Sequence, residues 1–267
     1  MNAQVDEILR YYEETAEAGR LFAGSGLLER ARTEELIERY LPKPPEVILD
    51  VGGGPGVYAG WLASLGYEVH LLDPAPKHIE EARRYALAGV RLGDARALPC
   101  EDNLAGAVLL SGPLYHLTSR PDRLRALREA LRALRPGGLL FATVISRYAS
   151  LLHSLVDGFA DDEEFRPILR RDIEEGQHRN DTGRLRYFTT AVFHRPEEIR
   201  EELSESGFCD IEIFGVEGPG WLAKDFEEMW RDARRRERLL ELVRRVECDA
   251  PLLGCSIHLL AVGRKPL

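Results

Sequence analysis

VILDVGGGPGVYAGWLA, residues 47–63, joins an apolar run ending in Asp50 to a glycine cluster at Gly52, Gly53, Gly54 and Gly56, and then to a helical pattern. This is a buried strand, a tight turn and a helix N-terminus in under twenty residues. Glycine is required where backbone turns with positive φ or approaches a ligand closely. The helix start adds unpaired N–H groups and a partial positive charge. A dinucleotide fingerprint wants G-x-G-x-x-G, but Val57 stands where its third glycine belongs and Gly56 comes one residue early. Asp50, two residues before the first glycine, is poor company for a pyrophosphate and good company for a ligand carrying an ammonium and a sulfonium.

Outward from this stretch, strands and helices alternate. Strands are expected at 47–51, 68–72, 90–92, 106–110 and 139–145, with helices at about 56–65, 77–87 and 121–134. Residues 135–138, Arg-Pro-Gly-Gly, are expected to stop the last of these helices. The run at 139–145 is almost continuously apolar, as in a central strand of a parallel sheet covered on both faces. The alternation predicts an α/β, doubly wound, Rossmann-like sheet. Residues 1–44 read as an N-terminal cover of two helices with a break at 22–26. A charged helical insertion is expected at 147–190 and a second at 218–250, both as lids over the strand ends. Between and after them lie a helix at 196–206 and strands at 210–216 and 256–262. The whole of 1–267 is read as one domain.

Composition narrows the function. Hydrophobic residues make up 44% and charged residues 30% of the 267, enough for a real core, and the net charge of −9 disfavours a general nucleic-acid binder. No apolar run approaches a membrane span, and the N-terminus lacks a signal-peptide pattern. Cys100, Cys209, Cys248 and Cys255 form no C-x-x-C pair and have no His at ligand spacing, so no metal is expected and a cytoplasmic setting is.

Further acidic positions complete a ligand site. Asp73-Pro74 ends the second strand about twenty residues past the glycines, where a carboxylate accepts from ribose hydroxyls. Asp94 ends the third strand in Gly93-Asp94-Ala95, where it and the Ala95 N–H can read an adenine edge. The plainer role for Asp73 and Asp94 is that of turn residues. Together these motifs, in order over about residues 45–146, resemble the class I S-adenosylmethionine (SAM)-dependent methyltransferases, closest to the small-molecule "type 11" subgroup. The resemblance implies a seven-stranded sheet with its last strand antiparallel and SAM as cofactor. It implies Gly52, Gly53, Gly54 and Ser111 around the methionine part and methyl group, with Asp73 on the ribose and Asp94 with Ala95 on adenine. Tyr11 and Arg20 are expected contacts from the cover, Arg20 at the methionine carboxylate.

Methyl transfer is an in-line displacement in which the enzyme chiefly positions a nucleophile and excludes water. The place for chemistry is the end of the fourth strand, Ser111-Gly-Pro-Leu-Tyr-His-Leu117. His116 is the candidate general base and Tyr115 the candidate substrate-orienting residue, against the simpler role of loop packing. His153, His178 and His194 are weaker candidates, and Trp221, Phe226, Met229 and Trp230 read as core more readily than as a pocket. In the basic 231–245 stretch, Asp232 with Arg236 and Glu241 with Arg245 are spaced as i, i+4 pairs. The expected partner is a small-molecule methyl acceptor, the expected assembly a monomer or homodimer. The rivals are a SAM-binding protein without transferase activity and an NAD(P)-dependent oxidoreductase.

Overall fold

The computed structural model describes residues 3–267, with side chains described from residue 5, so the first two residues of the expected cover lie outside the described residues. Three helices come first: α1 (Ala3–Glu14), α2 (Glu17–Arg20) and α3 (Gly26–Tyr40). The break falls where the sequence places it, with the short α2 as an addition. Leu28, Leu36 and Ile37 form the buried face of α3.

Alternation then begins with β1 (Val47–Val51), α4 (Val57–Ser64), β2 (Glu68–Asp73), α5 (Pro76–Ala82) and β3 (Gly89–Leu92). It continues through β4 (Ala105–Leu110), α6 (Pro113–His116), α7 (Arg120–Ala133) and β5 (Leu134–Ser146). Residues 135–138 do not stop a helix. α7 ends at Ala133 and these residues belong to β5, where they form an irregularity. Ala105 pairs with Leu134 and Ala107 with Leu139, so four residues of β5 bulge against one of β4, and Gly137 supplies a positive φ of 76°.

Strands β3, β2, β1, β4 and β5 are parallel neighbours in that order. The later elements are α8 (Ala149–Val156), α9 (Arg166–Glu175), β6 (Gln177–His178), β7 (Ala191–His194), α10 (Pro196–Glu205) and β8 (Cys209–Gly215), then α11 (Phe226–Arg231), α12 (Ala233–Val246), α13 (Ala250–Leu253) and β9 (His258–Arg264). The last strand, β9, lies antiparallel between β5 and β8. This completes the expected seven-stranded sheet. Both faces are covered, and every residue of β4 is buried.

The sheet also carries an addition absent from the sequence reading. β7, four buried residues following the first insertion, pairs parallel with β5 at Ile145 and Ser146, and β6 pairs antiparallel with β7. β9 already holds one edge of β5 as far as Ile145, so β7 takes the other edge, beyond the point where β4 ends opposite Ala142. That puts β7 directly beyond the strand end that leads into α6.

The two insertions differ. The second packs against α3, where Trp221, Leu239 and Val243 bury Leu28 and Phe226, Met229 and Trp230 lie against that cluster. Arg244 donates to Glu35 at 2.8 Å and Arg32 is ion-paired with Glu247, which fasten α12 to α3. Glu241 and Arg245 pair as spaced, at 2.7 Å. Asp232 does not pair with Arg236: its carboxylate caps α12 by accepting from the Arg234 and Arg235 N–H groups.

Candidate functional site

The glycine turn has a separate steric reason at each position. Gly52 has φ +72° and its missing side chain makes room for Pro113, whose ring a Cβ would meet at 2.5 Å. A Cβ on Gly53 would collide with the Asp50 carboxylate. Gly54, at φ +55°, faces open space, with nothing nearer to a Cβ than 4.0 Å. A side chain there would fill the cavity that the turn borders.

This cavity encloses roughly 1180 Å³ including its mouth. Its walls include Gly52, Gly53, Gly54, Asp73, Pro74, Asp94, Ala95, Ser111, Tyr115 and His116, and it is roofed by Val5, Ile8, Leu9 and Tyr12 of α1. Residues from four strand ends and the cover thus line one cavity. Two expected cofactor residues stand elsewhere. Tyr11 lines a second cavity, and Asp50 lies fully buried beneath the glycine turn rather than on the wall.

Asp50 is the electrostatic anomaly of the site. Neither carboxylate oxygen has a well-aligned hydrogen-bond partner. Burial, and then the charge of Asp73, push its pKa up to about 7, with the Ala59 N–H and the Ser111 hydroxyl pulling only partly the other way. A buried carboxylate with no cation beside it, under a ligand turn, fits a cofactor that brings positive charge.

Asp73 organises the turn. Its Oδ1 accepts from the Ala75 N–H at 2.8 Å and faces His78 Nδ1 at 3.0 Å, while Oδ2 accepts from the Gly54 N–H at 2.9 Å. One side chain therefore ties β2, the glycine loop and α5 together while still lining the cavity. Asp94 is clasped by Arg96, whose backbone N–H donates to Oδ1 at 2.8 Å and whose side chain pairs with both oxygens. Arg96, itself on the wall, holds the Asp94 carboxyl below the usual carboxylate range. Turn-forming geometry and a place on the cavity wall thus coincide at both aspartates.

The cover is anchored at three places. Tyr12 Oη lies 2.7 Å from His116 Nε2, and His116 Nδ1 lies 3.1 Å from the Thr190 carbonyl. A carbonyl only accepts, so Nδ1 carries the proton and the tyrosine hydroxyl donates to Nε2. Both nitrogens of His116 are engaged, and burial lowers its pKa to about 4. The Glu7 carboxylate accepts from the Thr190 hydroxyl at 2.9 Å. Lys77 donates to the carbonyls of Tyr12, Glu13 and Thr15 at 3.0, 2.9 and 2.8 Å, capping the end of α1 with a cation. Arg20 donates from Nε to Glu17 at 2.6 Å and is paired through Nη1 and Nη2 with Glu29.

A second cavity of roughly 1060 Å³ adjoins the first and shares Tyr12, Glu17, Arg20 and Tyr115 with it. The first insertion and β7 supply most of its walls, among them Phe159, Phe165, Tyr187, Phe188 and Phe193. The weaker histidine candidates separate here. His153 lines this cavity, paired with Asp157 at 2.9 Å and stacked on Trp221. His178 has both nitrogens engaged, by Asp172 and the Tyr187 carbonyl. His194 is buried beside Glu202 and lines neither cavity. His258, which the sequence reading passed over, also lines the second cavity. Its only sequence signal is a place at the start of an apolar strand.

A model of a methyltransferase domain matches residues 49–142. A ubiquinone biosynthesis O-methyltransferase of Methylocella silvestris is 40% identical over 117 residues, 41% of this chain and 44% of that protein. A ubiquinone/menaquinone biosynthesis C-methyltransferase of Chromobacterium violaceum is 26% identical over 181 residues, 64% of this chain and 70% of that protein. In most of these matches the chain spans about half the length of the curated relative. Among solved structures, a SAM-dependent methyltransferase of Methanosarcina mazei superposes with a TM-score of 0.57 at 18% identity, covering 87% of this chain and 97% of that one. Residues 49–142 thus form a methyltransferase domain, and the chain has the fold of solved SAM-dependent methyltransferases. Among the described residues no helix is long and apolar enough to cross a membrane.

Proposed function

We propose that this protein transfers the methyl group of SAM to a small-molecule acceptor held in the second cavity. The observation that carries the reading is the pair of adjoining cavities with Tyr12, Glu17, Arg20 and Tyr115 in both walls. The bound cofactor supplies an electrophilic methyl group. In this reading Gly52, Gly53, Gly54 and Ser111 take its methionine part, with Arg20 toward the carboxylate and the charge of Asp50 beneath. Asp73 with Pro74 takes the ribose, and Asp94 with Ala95 the adenine. Asp94 then turns part of its carboxylate from Arg96 to the ligand. Tyr11 and Tyr115 wall the acceptor, the first insertion shapes its pocket, and α1 excludes water from both ligands.

The engagement of both His116 nitrogens and its low pKa favour a supporting role for that residue, holding Tyr12 and hence the cover. Two of the curated relatives are named for methyl transfer in quinone biosynthesis, which fits a small organic acceptor. A cytoplasmic monomer or homodimer that does not bind nucleic acid is the accompanying expectation, with the net charge of −9 behind its last part.

Calorimetry with SAM and with its demethylated product is the direct test. Saturable binding of both, followed by turnover of SAM with an acceptor, is expected. Undetectable binding at millimolar SAM with tight NAD(P) binding would overturn the reading. Binding without turnover on any acceptor would make the protein a SAM-binding module.

A further inference from the structure

His258 lines the second cavity with its ring set against a fully buried carboxylate, whereas His153 there pairs with the exposed Asp157, and His78, which faces Asp73, belongs to the first cavity. Its Nδ1 lies 2.6 Å from Oε1 of Glu217. Glu217 is completely buried, and its other oxygen accepts from the Ser256 hydroxyl at 2.7 Å and the His258 backbone N–H at 3.0 Å. A carboxylate held this way only accepts, so Nδ1 carries the ring proton and Nε2 keeps its lone pair. Among the described residues nothing bonds Nε2, and the ring stands in the wall of the second cavity. Buried carboxylate, fixed imidazole and an unengaged nitrogen at a ligand cavity are the parts of an activating dyad.

We propose that His258, oriented by Glu217, is the general base that takes the proton from the methyl acceptor, and that this acceptor is an aromatic hydroxyl compound. The inference rests on the methyltransferase reading above. Phe159, Phe165, Tyr187, Phe188 and Phe193 offer flat apolar walls that suit a ring. The acidic side chains at this cavity already have partners: Glu17 faces Arg20 at 2.6 Å and Asp157 faces His153 at 2.9 Å. That leaves the site poorly provided for an ammonium acceptor. In the step, the acceptor O–H proton passes to Nε2 and an oxygen lone pair forms the new O–C bond. The C–S bond pair goes to sulfur, which becomes a neutral thioether. Glu217 holds the imidazolium until the proton leaves to solvent.

The groups facing the ring are Glu217 beyond β8, Glu29 of α3, whose Oε2 lies 3.7 Å from Nδ1, and Arg20 of α2, which is paired with that Glu29. Burial lowers the His258 pKa, Glu29 and Glu217 raise it more, and the balance is above the ordinary value. An imidazole made more basic in this way suits its task. Glu29, Glu217 and His258 also have ligand atoms within 4.8 Å of one another, so a metal ion is the competing use of the cluster. Both Glu29 oxygens are already engaged there by Arg20, which Glu29 shares with Glu17.

The test uses the full chain, SAM, and catechol with a series of substituted phenols as acceptors. His258→Gln is expected to lower kcat by about 10²–10⁴-fold, with SAM affinity by calorimetry unchanged. The limb of the wild-type pH profile assigned to the base should vanish with it. In imidazole-labelled protein without ligands, the His258 resonance should titrate above the ordinary histidine value as the Nδ1–H tautomer, and lower in Glu217→Gln. A loss below threefold in a SAM-binding His258→Gln protein would overturn the assignment. So would an Nε2–H tautomer, or activity removed by EDTA and restored by zinc. SAM binding without transfer to any phenol would overturn the acceptor class. Failure to bind SAM at all would instead sink the methyltransferase reading.

Discussion

Replacing Asp50 by Asn should reverse the usual sign of a mutation at a ligand site, stabilising the free protein while weakening its hold on SAM. The folded pKa of about 7 stands above the unfolded carboxylate value, so the native state binds more protons than the unfolded one between about pH 4 and 7. Stability from this group therefore falls as pH rises through that window and is flat above it. The shift corresponds to a penalty of about 2 kcal/mol at pH 5 and about 4 kcal/mol at pH 8.5. Asn removes the charge but adds a buried amide, which offsets about 1–3 kcal/mol of the gain. The difference between the two pH values is free of that constant cost. Urea unfolding of both proteins at pH 5 and pH 8.5 should show Asp50→Asn gaining about 2–3 kcal/mol relative to wild type on going to the higher pH. SAM should bind Asp50→Asn about 1–3 kcal/mol more weakly. In the wild type at pH 6, SAM binding should release protons, detectable by calorimetry in buffers of different ionisation enthalpy. A stability difference that is flat with pH to within about 1 kcal/mol would refute the placing of a buried, raised carboxylate beneath the turn.

Other consequences follow from neighbouring groups. His116, whose folded pKa of about 4 lies below its unfolded value, contributes stability present above pH 6.5 and lost as pH falls toward 4. A His116→Gln protein should show a shallower acid limb in urea unfolding, and an unchanged limb would contradict the buried neutral ring. Lys77→Met should leave three carbonyls of the cover uncapped, speeding amide exchange in α1 and weakening SAM by about 1–2 kcal/mol. Equal exchange rates would show that the cover is held elsewhere. Asp73→Ala and Asp94→Ala should each weaken SAM by about 1–3 kcal/mol, measured by calorimetry. Unchanged affinity in both would displace the adenosine from these strand ends.

Most of the sheet was legible because its strands carry their own signals. The run at 139–145 is apolar throughout, the glycine turn is unmistakable, and Asp73 and Asp94 stand at strand ends. What escaped notice depended on contacts between distant segments. Ala191–His194 is a four-residue strand whose partner, the far end of β5, is some fifty residues away. The Arg-Pro-Gly-Gly at 135–138 looks like a helix stop, yet the ladder with β4 absorbs it as a bulge. At the site, Asp50 was read as a ligand contact because its type and spacing suited one. That it lies one layer below the cavity wall is a matter of packing against Gly53. His116 drew attention by its loop, and only the Tyr12 and Thr190 partners reveal that its nitrogens are occupied. His258 was silent because its meaning lies in Glu217, forty-one residues earlier in the chain.

Helix α1 touches both ligand spaces, through Val5, Ile8 and Leu9 on one side, Tyr11 on the other and Tyr12 on both. A single rigid rod thus serves two chambers, and its latches at Thr190, His116 and Lys77 must yield together if it is to lift. Passage in and out becomes a shared event. In the transferase reading, cofactor and acceptor would be enclosed, and their products released, by one movement of the same rod.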